Sequence, residues 1–256
     1  MIHPTAIVHP GARLDGDVAV GPYSIIGEHV EIGAGTRIAS HVVVEGRTRL
    51  GRNNRVFQFA SIGSEPQDKK YRGEATRLEI GDGNTIREYC TINPGTVQDE
   101  GVTRIGDDNW IMAYAHIAHD CRVGSHTIFA NNAQIAGHCH VDDWAILGGF
   151  TGVHQFVRIG AHAMVGGGTI LLQDVAPFLT VQGSPAKPYG VNAEGLKRRG
   201  FSEDAIAAIK RAYRTLYRSN LPLAEAREQL AEAVHATPEL EILIRFIDSA
   251  TRGLVR

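Results

Sequence analysis

The sequence is dominated by a six-residue repeat of aliphatic side chains, and this repeat limits the folds open to the chain. In its most regular part, residues 105–175, a small or β-branched residue usually stands four positions after each repeat residue. Neither the 3.6-residue period of an α-helix nor the alternation of a β-strand produces such spacing. A strict period of six is typical of a parallel β-helix, whose short strands lie on the flat faces of a coil. The repeat residues of this part are Ile105, Ile111, Ile117, Val123, Phe129, Ile135, Val141, Leu147, Val153, Ile159, Val165 and Leu171.

The repeat also covers the N-terminal part of the chain, and two stretches interrupt it. It runs in step from Ile2 to Ile62, returns at Ile80, and is broken at residues 63–79 and 97–104. Three hexapeptides make one triangular coil, with the aliphatic side chains inside and strands of neighbouring coils about 4.8 Å apart. We expect both interruptions to be surface loops, and the length and charge of the first favour a functional role.

Beyond Val175 the repeat stops and the composition changes. Residues 176–188 are rich in proline, and we expect an irregular capping turn and linker there. Helix-forming residues follow from residue 192, with helices predicted to start at Ser202, near Pro222 and at Thr237-Pro238. The sequence therefore predicts a mainly β protein in two domains. A parallel β-helix would cover residues 1–191, and a small all-α domain over residues 192–256 would cap the open end of the prism.

Composition and charge argue against several classes of function. The net charge of −2 disfavours general nucleic-acid binding, which usually needs a strong basic excess. No apolar run reaches the roughly 18 residues that cross a bilayer, and the first residues lack the pattern of a signal peptide. The 3 cysteines fall at the same slot of the repeat, so we interpret them as core-filling thiols. We expect a cytoplasmic protein with no transmembrane segment and no nucleic-acid partner.

Histidines gather at one edge of the predicted prism. Three hexapeptides spaced 18 residues apart lie on one face in successive coils, and they carry His119, His138 and His154. His116 stands at the corner that precedes the first of these hexapeptides. Strand spacing and small lateral offsets then separate the rings by about 5 to 10 Å. The repeat therefore predicts a cluster of imidazoles on the surface of the β-helix.

Two chemistries fit such a cluster. Neutral imidazole is a common zinc ligand, as in a zinc-dependent hydratase of the β-helix carbonic anhydrase type. A histidine is also suited to remove a proton from a hydroxyl or amine that attacks an acyl group. Asp120 beside His119 could orient the ring, and a backbone N–H near Gly137 could bind the oxyanion. No nucleophile motif such as G-x-S-x-G is present, which favours direct acyl transfer over a covalent acyl-enzyme. The remaining interpretation is a non-catalytic scaffold or binding trimer with solvent-facing histidines.

Several strings are more specific than the repeat. They lie at residues 40–44, 58–63, 115–121, 130–133, 153–156 and 192–201, and include His-Ile-Ala-His-Asp, His-Gln-Phe and Glu-Gly-Leu-Lys-Arg-Arg-Gly. The repeat alone would indicate only a broad superfamily of acyltransferases. On these strings, and over nearly the whole chain, the sequence closely resembles the UDP-N-acetylglucosamine O-acyltransferases, the first enzymes of lipid A biosynthesis.

This resemblance implies a fold, an assembly and a reaction. The fold is a left-handed parallel β-helix, an exception to the usual right-handed crossover. The assembly is a homotrimer with active sites between neighbouring prisms. The reaction moves a 3-hydroxyacyl chain from the phosphopantetheine of acyl carrier protein to the glucosamine 3-hydroxyl of UDP-N-acetylglucosamine. No metal and no further cofactor is expected. Some relatives acylate a 3-amino sugar instead, so the acceptor atom stays open.

The resemblance also assigns roles to residues. His119 would be the general base, and Arg side chains would meet phosphate oxygens through their planar fork. The same basic helix end could also help to dock the acidic acyl carrier protein. The expected substrate-binding residues are Gln67, Asp68, Lys70, His116, Gly137 and His138 around the sugar and acyl donor, His154 and Gln155 on the bound substrate, and Asn192, Glu194, Arg198 and Arg199 on the UDP moiety or the donor.

Two positions bear on specificity. Gly167 aligns with the position that limits acyl-chain length in the family, where a glycine leaves the groove open. We therefore expect a long 3-hydroxyacyl chain, although Ile170, Leu171 and Leu172 could narrow the groove. Relatives often carry arginine where this chain has Pro94, so any contact made by that arginine is not expected here.

Overall fold

The computed structural model describes residues 1–235, 237–250 and 252–256. Short strands form three sheets, and each coil of the chain visits the three sheets in turn. Within the β-helix every strand pairs in parallel with the strand one coil away, as Ile117 does with Ile135. The predicted fold class, a left-handed parallel β-helix of hexapeptide repeats with a small helical C-terminal part, is confirmed.

We call the three sheets face 1, face 2 and face 3, in the order in which the chain visits them. Face 1 contains β1 (Ile7–Val8), β4 (Ile25–Ile26), β7 (Val43–Val44), β10 (Ser61–Ile62), β13 (Thr91–Ile92), β16 (His116–Ile117), β19 (Gln134–Ile135), β22 (Gly152–Val153) and β25 (Ile170–Leu171). Face 2 contains β2 (Arg13–Leu14), β5 (Glu31–Ile32), β8 (Arg47–Leu50), β11 (Arg77–Ile80), β14 (Val102–Ile105), β17 (Arg122–Val123), β20 (His140–Val141) and β23 (Arg158–Ile159). Face 3 contains β3 (Ala19–Val20), β6 (Arg37–Ile38), β9 (Arg55–Val56), β12 (Thr85–Ile86), β15 (Trp110–Ile111), β18 (Ile128–Phe129), β21 (Ile146–Leu147), β24 (Met164–Val165), β26 (Leu179–Gln182) and β27 (Lys187–Val191).

The repeat residues fill the interior of the prism. Ile117, Ile135 and Leu147 are fully buried, whereas Ile2 at the first coil is 49% exposed. The N-terminal end differs because no coil stacks beneath it, so its repeat residues lack the neighbours that bury the others. The prediction that every repeat residue lies in the core is therefore wrong only at this end.

One ladder inside the prism is polar. Asn54, Asn84 and Asn109 are buried at equivalent positions of three successive coils. The Asn54 side chain donates to the Gly81 carbonyl oxygen at 2.8 Å, and that of Asn84 donates to the Gly106 carbonyl oxygen at 3.0 Å. The backbone N–H of Asn84 donates to Asn54 Oδ1 at 2.8 Å, and that of Asn109 donates to Asn84 Oδ1 at 2.9 Å. These bonds hold neighbouring coils together at the corners.

Both interruptions of the repeat leave the prism as loops. The loop that follows β10 ends where β11 begins at Arg77, and the loop that follows β13 ends where β14 begins at Val102. The last residues of the two predicted interruptions therefore belong to strands β11 and β14. These strands pair with each other in face 2, and β11 also pairs with β8. We call residues 63–76 the first insertion and residues 93–101 the second insertion.

The proline-rich stretch is more ordered than the sequence suggests. Strand β26 pairs in parallel with β24, and β27 folds back antiparallel to β26. The prediction of an irregular linker is therefore wrong. Pro188 is tolerated because β27 is the outermost strand of face 3, where a missing N–H leaves no ladder bond unmade.

The helical part follows directly on this hairpin. Its elements are α1 (Ala193–Arg198), α2 (Glu203–Arg218), α3 (Leu223–Val234), a 3₁₀ turn (Pro238–Leu240) and α4 (Glu241–Ser249). Ser202 is the N-cap of α2 as predicted, with its hydroxyl accepting from the Ala205 N–H. The helix expected at Thr237-Pro238 begins as the 3₁₀ turn, and α1 was not predicted. Among the described residues, no helix has both the length and the apolar character that crossing a membrane requires.

Two sets of contacts join the helices to the last coils. The Arg158 guanidinium donates to the Ser249 carbonyl oxygen at 2.7 Å and lies 5.0 Å from the centre of the Phe246 ring. In the second set of contacts, the ring of His162 stacks on that of Phe178, with ring centres 5.7 Å apart, and meets that of Phe201 edge-on, with ring centres 5.0 Å apart. The helical part therefore covers the C-terminal end of the prism.

The asparagine ladder makes a prediction about stability. Asn84→Ala removes one buried donor and one buried acceptor, which leaves the Gly106 carbonyl and the Asn109 N–H without partners. We expect the free energy of unfolding to fall by about 2 kcal/mol. Chemical denaturation measures this change, with Asn131→Ala at an exposed corner as the control. Equal stability of the two variants would contradict the role given to the ladder.

The second prediction concerns acid stability at His162. Burial, followed by the nearby Arg199 guanidinium, lowers the pKa of His162 from 6.5 to about 4, while Asp143 opposes this shift. The unfolded chain therefore binds a proton at a higher pH than the folded protein does. The stability contributed by the neutral ring is complete above pH 6.5 and is lost as the pH falls through about 4.

We expect this loss to reach about 3 kcal/mol. Urea titrations across that pH range measure the slope of stability against pH, which should be shallower in His162→Asn. Asparagine tolerates the left-handed backbone at this position, where φ is 60°. His126→Asn, at an equivalent corner where the side chain is 39% exposed, is the matched control. An unchanged slope in His162→Asn would rule out this source of acid sensitivity.

Candidate active site

A groove of about 470 Å³ lies on face 1, along strands β13 to β25. Its last coil is apolar, since Ile170 and Leu172 are 39% and 47% exposed there. The lining residues are Gln67, Asn93, His116, Ala118, His119, Gln134, Ala136, Gly152, Val153, His154, Ile170 and Leu172. A depression of about 290 Å³ on face 2 is lined largely by charged side chains such as Arg13, Glu31 and Arg77, and contains none of the predicted site residues.

His119 and Asp120 form a hydrogen-bonded pair at the corner between faces 1 and 2. His119 Nδ1 lies 2.8 Å from Asp120 Oδ2. The Asp120 side chain is 1% exposed, whereas that of His119 is 16% exposed and reaches the groove. Since an ionised carboxylate only accepts, Nδ1 of His119 is the donor and Nε2 keeps its lone pair. This is the arrangement that a general base requires.

Asp120 is held in its ionised form. Burial by itself would raise the pKa of Asp120, but hydrogen bonds from His119 and Thr96 outweigh it and lower the pKa below its usual value. The Thr96 N–H donates to Oδ1 at 2.8 Å, and its hydroxyl donates to Oδ2 at 2.6 Å. The backbone N–H of Asp120 donates to Thr103 Oγ1 at 2.8 Å. The carboxylate therefore has little freedom to turn away from His119.

Gly137 provides the space that His119 occupies. It stands at the same position as His119 in the next coil, and a Cβ there would lie 2.5 Å from His119 Cε1. Such a distance is too short for any side chain to fit without displacing the imidazole. The absence of a side chain at this position therefore places the ring against the backbone of the neighbouring coil, within reach of the groove.

His138 packs beside the pair without lining the groove. Its ring meets His119 edge-on at 5.1 Å and stacks on Phe156 at 4.5 Å, measured between ring centres. His138 Nδ1 lies 2.9 Å from Asp99 Oδ2, and Nε2 lies 3.8 Å from Asp120 Oδ2. The predicted cluster of imidazoles therefore exists, with His138 between two carboxylates.

The other two histidines of the cluster line the groove directly. His116 Nδ1 lies 2.7 Å from Thr91 Oγ1. Burial, and then the proximity of His119, lowers the pKa of His116, so this ring is neutral at pH 7. His154 is exposed, and its Nδ1 donates to the Gln155 carbonyl oxygen at 3.0 Å. Both rings offer hydrogen-bonding nitrogens to a bound molecule.

A metal ion is a further candidate for this corner. His119, Asp120 and His138 offer ligand atoms that lie within 4.8 Å of one another. The Asp120 oxygens accept from Thr96 and His119, and His138 Nδ1 bonds Asp99. A metal bound through Asp120 would compete with these donors, so the set fits a base and its orienting acid better than a cation.

Residues of the first insertion are divided between the groove and its surroundings. Gln67 lines the groove, whereas Asp68 and Lys70 do not. Asp68 Oδ1 accepts from the Lys70 N–H at 3.0 Å, and the Lys70 side chain is exposed. Gln155 is likewise exposed and outside the groove. These three side chains are therefore not part of the lining of the groove.

The predicted nucleotide-binding residues gather around α1, apart from the groove. Asn192 is the N-cap of α1, and its amide donates to the His162 carbonyl oxygen at 3.0 Å. Arg199 lies 5.3 Å from the centre of the Trp144 ring. Glu194 and Arg198 are exposed. These two exposed side chains are free to meet a ligand, whereas Asn192 and Arg199 already have partners within the chain.

Gly167 lies at the exposed turn that precedes β25. A Cβ at this position would lie 3.3 Å from the Gly149 carbonyl oxygen, which is tight but not prohibitive. Ile170 and Leu172, which follow in the same coil, line the groove, whereas Gly167 does not.

Several lining residues escaped the sequence prediction. Gln134 and Gly152 stand immediately before repeat residues of face 1, in the slot that His116 also occupies, as does Ile170, which was expected to narrow the groove. Extending the register of His116 through the following coils would have found them. Asn93, which lines the groove, and Thr96 and Asp99, which contact the residues of the corner, were also not predicted. They belong to the second insertion, where no repeat predicts which residues lie next to one another.

Comparisons with known proteins indicate the family of this chain. The family model described as "Udp N-acetylglucosamine O-acyltransferase; Domain 2" matches residues 174–255, and that of the bacterial transferase hexapeptide repeats matches residues 14–46 and 103–137. Acyl-[acyl-carrier-protein]–UDP-N-acetylglucosamine O-acyltransferases from Thiobacillus denitrificans and Herminiimonas arsenicoxydans are 61% and 59% identical, over 100% of this chain and 99% of each relative.

Solved structures extend the agreement to the fold. LpxA from Acinetobacter baumannii superposes with a TM-score of 0.97 at 48% identity, over 100% of this chain and 99% of that one. UDP-N-acetylglucosamine acyltransferase from Francisella novicida superposes with a TM-score of 0.98 at 42% identity, over 100% and 94%. Since identity, coverage and fold agree along the full length, this chain belongs to the UDP-N-acetylglucosamine O-acyltransferase family.

Proposed function

We propose that this chain transfers a 3-hydroxyacyl group from acyl carrier protein to the glucosamine 3-hydroxyl of UDP-N-acetylglucosamine. This reaction is the first step of lipid A biosynthesis. The observation that carries the proposal is the His119–Asp120 pair at the groove. It occurs in a chain whose relatives, matched over nearly their full length, are named acyl-[acyl-carrier-protein]–UDP-N-acetylglucosamine O-acyltransferases. We further propose that the enzyme works in the cytoplasm and needs no cofactor beyond the phosphopantetheine of its donor.

The histidine accounts for the chemistry. His119 Nε2 accepts the proton of the sugar hydroxyl while the oxygen attacks the thioester carbonyl. The C–S bond then breaks, and the same proton passes from the imidazolium to the departing thiolate, which leaves as the thiol. Asp120 stabilises the imidazolium that forms between these steps. The backbone N–H of Gly137, against which the His119 ring lies, is our candidate donor to the oxyanion.

The groove is suited to a substrate with a polar head and an apolar tail. Gln67, His116 and His154 offer polar atoms near His119, and the coil of Ile170 and Leu172 offers an apolar surface beyond them. A sugar would lie at the polar part and an acyl chain along the apolar part. Gly167 would then stand where a long chain passes, in keeping with its expected role as a length ruler.

A second copy of the chain would complete the site. The groove is open along face 1, and Asp68, Lys70 and Gln155 do not line it. We propose that these residues, with Glu194, Arg198 and the neighbouring Asn192 and Arg199, act at the boundary between prisms of a homotrimer. There Lys70 would meet the donor, and the arginines would meet the UDP phosphates or acyl carrier protein.

The zinc-dependent hydratase is not favoured. His119, Asp120 and His138 lie close enough to share an ion, but Thr96 already donates to the Asp120 carboxylate and Asp99 already bonds His138 Nδ1. The relatives at about 60% identity are acyltransferases, which agrees with the base rather than the metal site. Stoichiometric zinc in the purified protein, with chelator-sensitive activity, would favour the hydratase.

The central test is the removal of the base. His119→Ala should lower kcat for acyl transfer by about 100-fold or more, because general-base catalysis contributes that much. The assay follows product from 3-hydroxyacyl carrier protein and UDP-N-acetylglucosamine, and circular dichroism checks the fold. His126→Ala, a corner histidine with an aspartate 3.8 Å away on another edge, is the control. Substantial residual turnover in His119→Ala would remove the proposed role.

Chain-length preference gives a separate prediction. A panel of 3-hydroxyacyl donors, with the 3-hydroxy and 3-amino acceptor sugars, should show the highest kcat/KM for long chains. Gly167→Met should lower kcat/KM for the longest chains while leaving that for short chains within about twofold, a change of less than about 0.5 kcal/mol. The short-chain rate serves as the internal control. A uniform fall across all lengths would show that residue 167 does not measure the chain.

A further inference from the structure

The second insertion has a rigid base. Residues 93–96 are buried, and the Asn93 amide donates to the Ser64 carbonyl oxygen at 3.0 Å, which ties this loop to the first insertion. At Gly95 a Cβ would lie 2.1 Å from the backbone nitrogen of Val102, so only glycine allows the two ends of the loop to come this close. The base of the loop is therefore held in one conformation.

The exposed tip of the second insertion is anchored on face 2. Glu100 bonds Arg104 of β14 at 2.7 Å and also pairs with Arg122 of β17. Both arginines lie on strands that flank the His119 corner. A loop that is fixed at its base and at its tip can hold the residues between these two points with little freedom.

The residues between base and tip touch the two corner groups of the site. Thr96 donates to both oxygens of Asp120, through its N–H at 2.8 Å and its hydroxyl at 2.6 Å. Asp99 bonds His138 Nδ1 at 2.9 Å, and His138 in turn packs edge-on against His119. No residue of the six-residue repeat makes these contacts.

We propose that the second insertion is a positioning loop. Thr96 holds the Asp120 carboxylate, which orients His119, and Asp99 holds the His138 ring, which packs against His119. The proposal rests on the proposed function, since it concerns how the base of that reaction is aligned. Neither Thr96 nor Asp99 lines the groove, so both act through other residues.

The physical basis is the number of acceptor sites on Asp120. The carboxylate receives bonds from His119 and twice from Thr96. Without the Thr96 hydroxyl, Oδ2 keeps only the bond from His119, and the carboxylate is held against rotation about its χ2 bond by the backbone N–H of residue 96 alone on Oδ1. The groups that face it are then His119, His138 and, beyond His138, Asp99. His119 would sample orientations in which Nε2 points away from the groove.

Thr96→Val tests the first contact, because valine keeps the shape of threonine and removes only the hydroxyl. We expect kcat to fall about tenfold with KM within about twofold, since the lost contact aligns the base rather than binding substrate. Thr96→Ser, which keeps the hydroxyl, should restore most of the activity.

Thr127→Val is the matched control for this variant. Thr127 is also fully buried, and its hydroxyl donates to Asn109 Oδ1 at 2.7 Å, away from the His119 corner. It should lose stability like Thr96→Val and keep the kinetics of the unaltered protein. If both valine variants lose kcat equally, the effect is one of general packing and the positioning role is overturned.

Asp99→Ala tests the second contact and should lower kcat about threefold, again with KM nearly constant. Asp99→Asn keeps an acceptor for His138 Nδ1 and should recover most of that loss. The matched control is Asp108→Asn, because Asp108 lies 3.8 Å from His126 at a different corner. A rise in KM without a change in kcat would show that Asp99 binds substrate, contrary to the proposal.

Nitrogen NMR of the histidine rings separates failure of this proposal from failure of the proposed function. In the unaltered protein the proton of His119 should reside on Nδ1, and in Thr96→Val the ring should show a mixture of tautomers. Absence of acyl transfer by the unaltered protein would reject the proposed function while leaving this measurement intact. An unchanged tautomer together with unchanged kcat in Thr96→Val would overturn the positioning role.

Discussion

Hydrogen bonding between stacked coils is the interaction on which the rest of the structure depends. Each short strand has too few residues to be stable by itself, and its inward side chain is buried only by the coils next to it. Stacking at the spacing of one strand supplies both the backbone partners and the apolar neighbours. It also brings residues of equal position in successive coils into contact, as Ile117 and Ile135 show. The interior of the prism and the surface around its corners are built by the same rule.

The active-site corner shows what this rule can and cannot build. Stacking places Gly137 beside His119 and Phe156 beside His138, and thereby sets the height and the packing of both imidazoles. Stacking does not supply the two further donors to the Asp120 carboxylate, which come from outside the repeat. The second insertion brings Thr96 to this carboxylate, and a corner of the prism thereby acquires an oriented base. The regular part positions the histidine, and the irregular part makes it suited to catalysis.

The sequence allowed most of the fold and the centre of the site to be predicted. Period-six spacing indicated the β-helix, and its register placed four histidines at one edge. Other features were out of reach for identifiable reasons. The hairpin of β26 and β27 was missed because Pro188 is unusual in a strand unless the strand lies at an edge. Helix α1 is only 6 residues long, too short for its periodicity to be recognised.

Sequence alone therefore determined the scaffold, the corner occupied by the histidines and, through the resemblance of its strings, the family. These properties follow from local period and composition, which every coil repeats. Only the tertiary structure decided that Asp120 accepts two bonds from Thr96, that Asp99 reaches His138 and that Asn93 ties the two insertions together. Such contacts join residues through loops whose conformation no repeat dictates, because it is set by the packing of the loops against the finished prism.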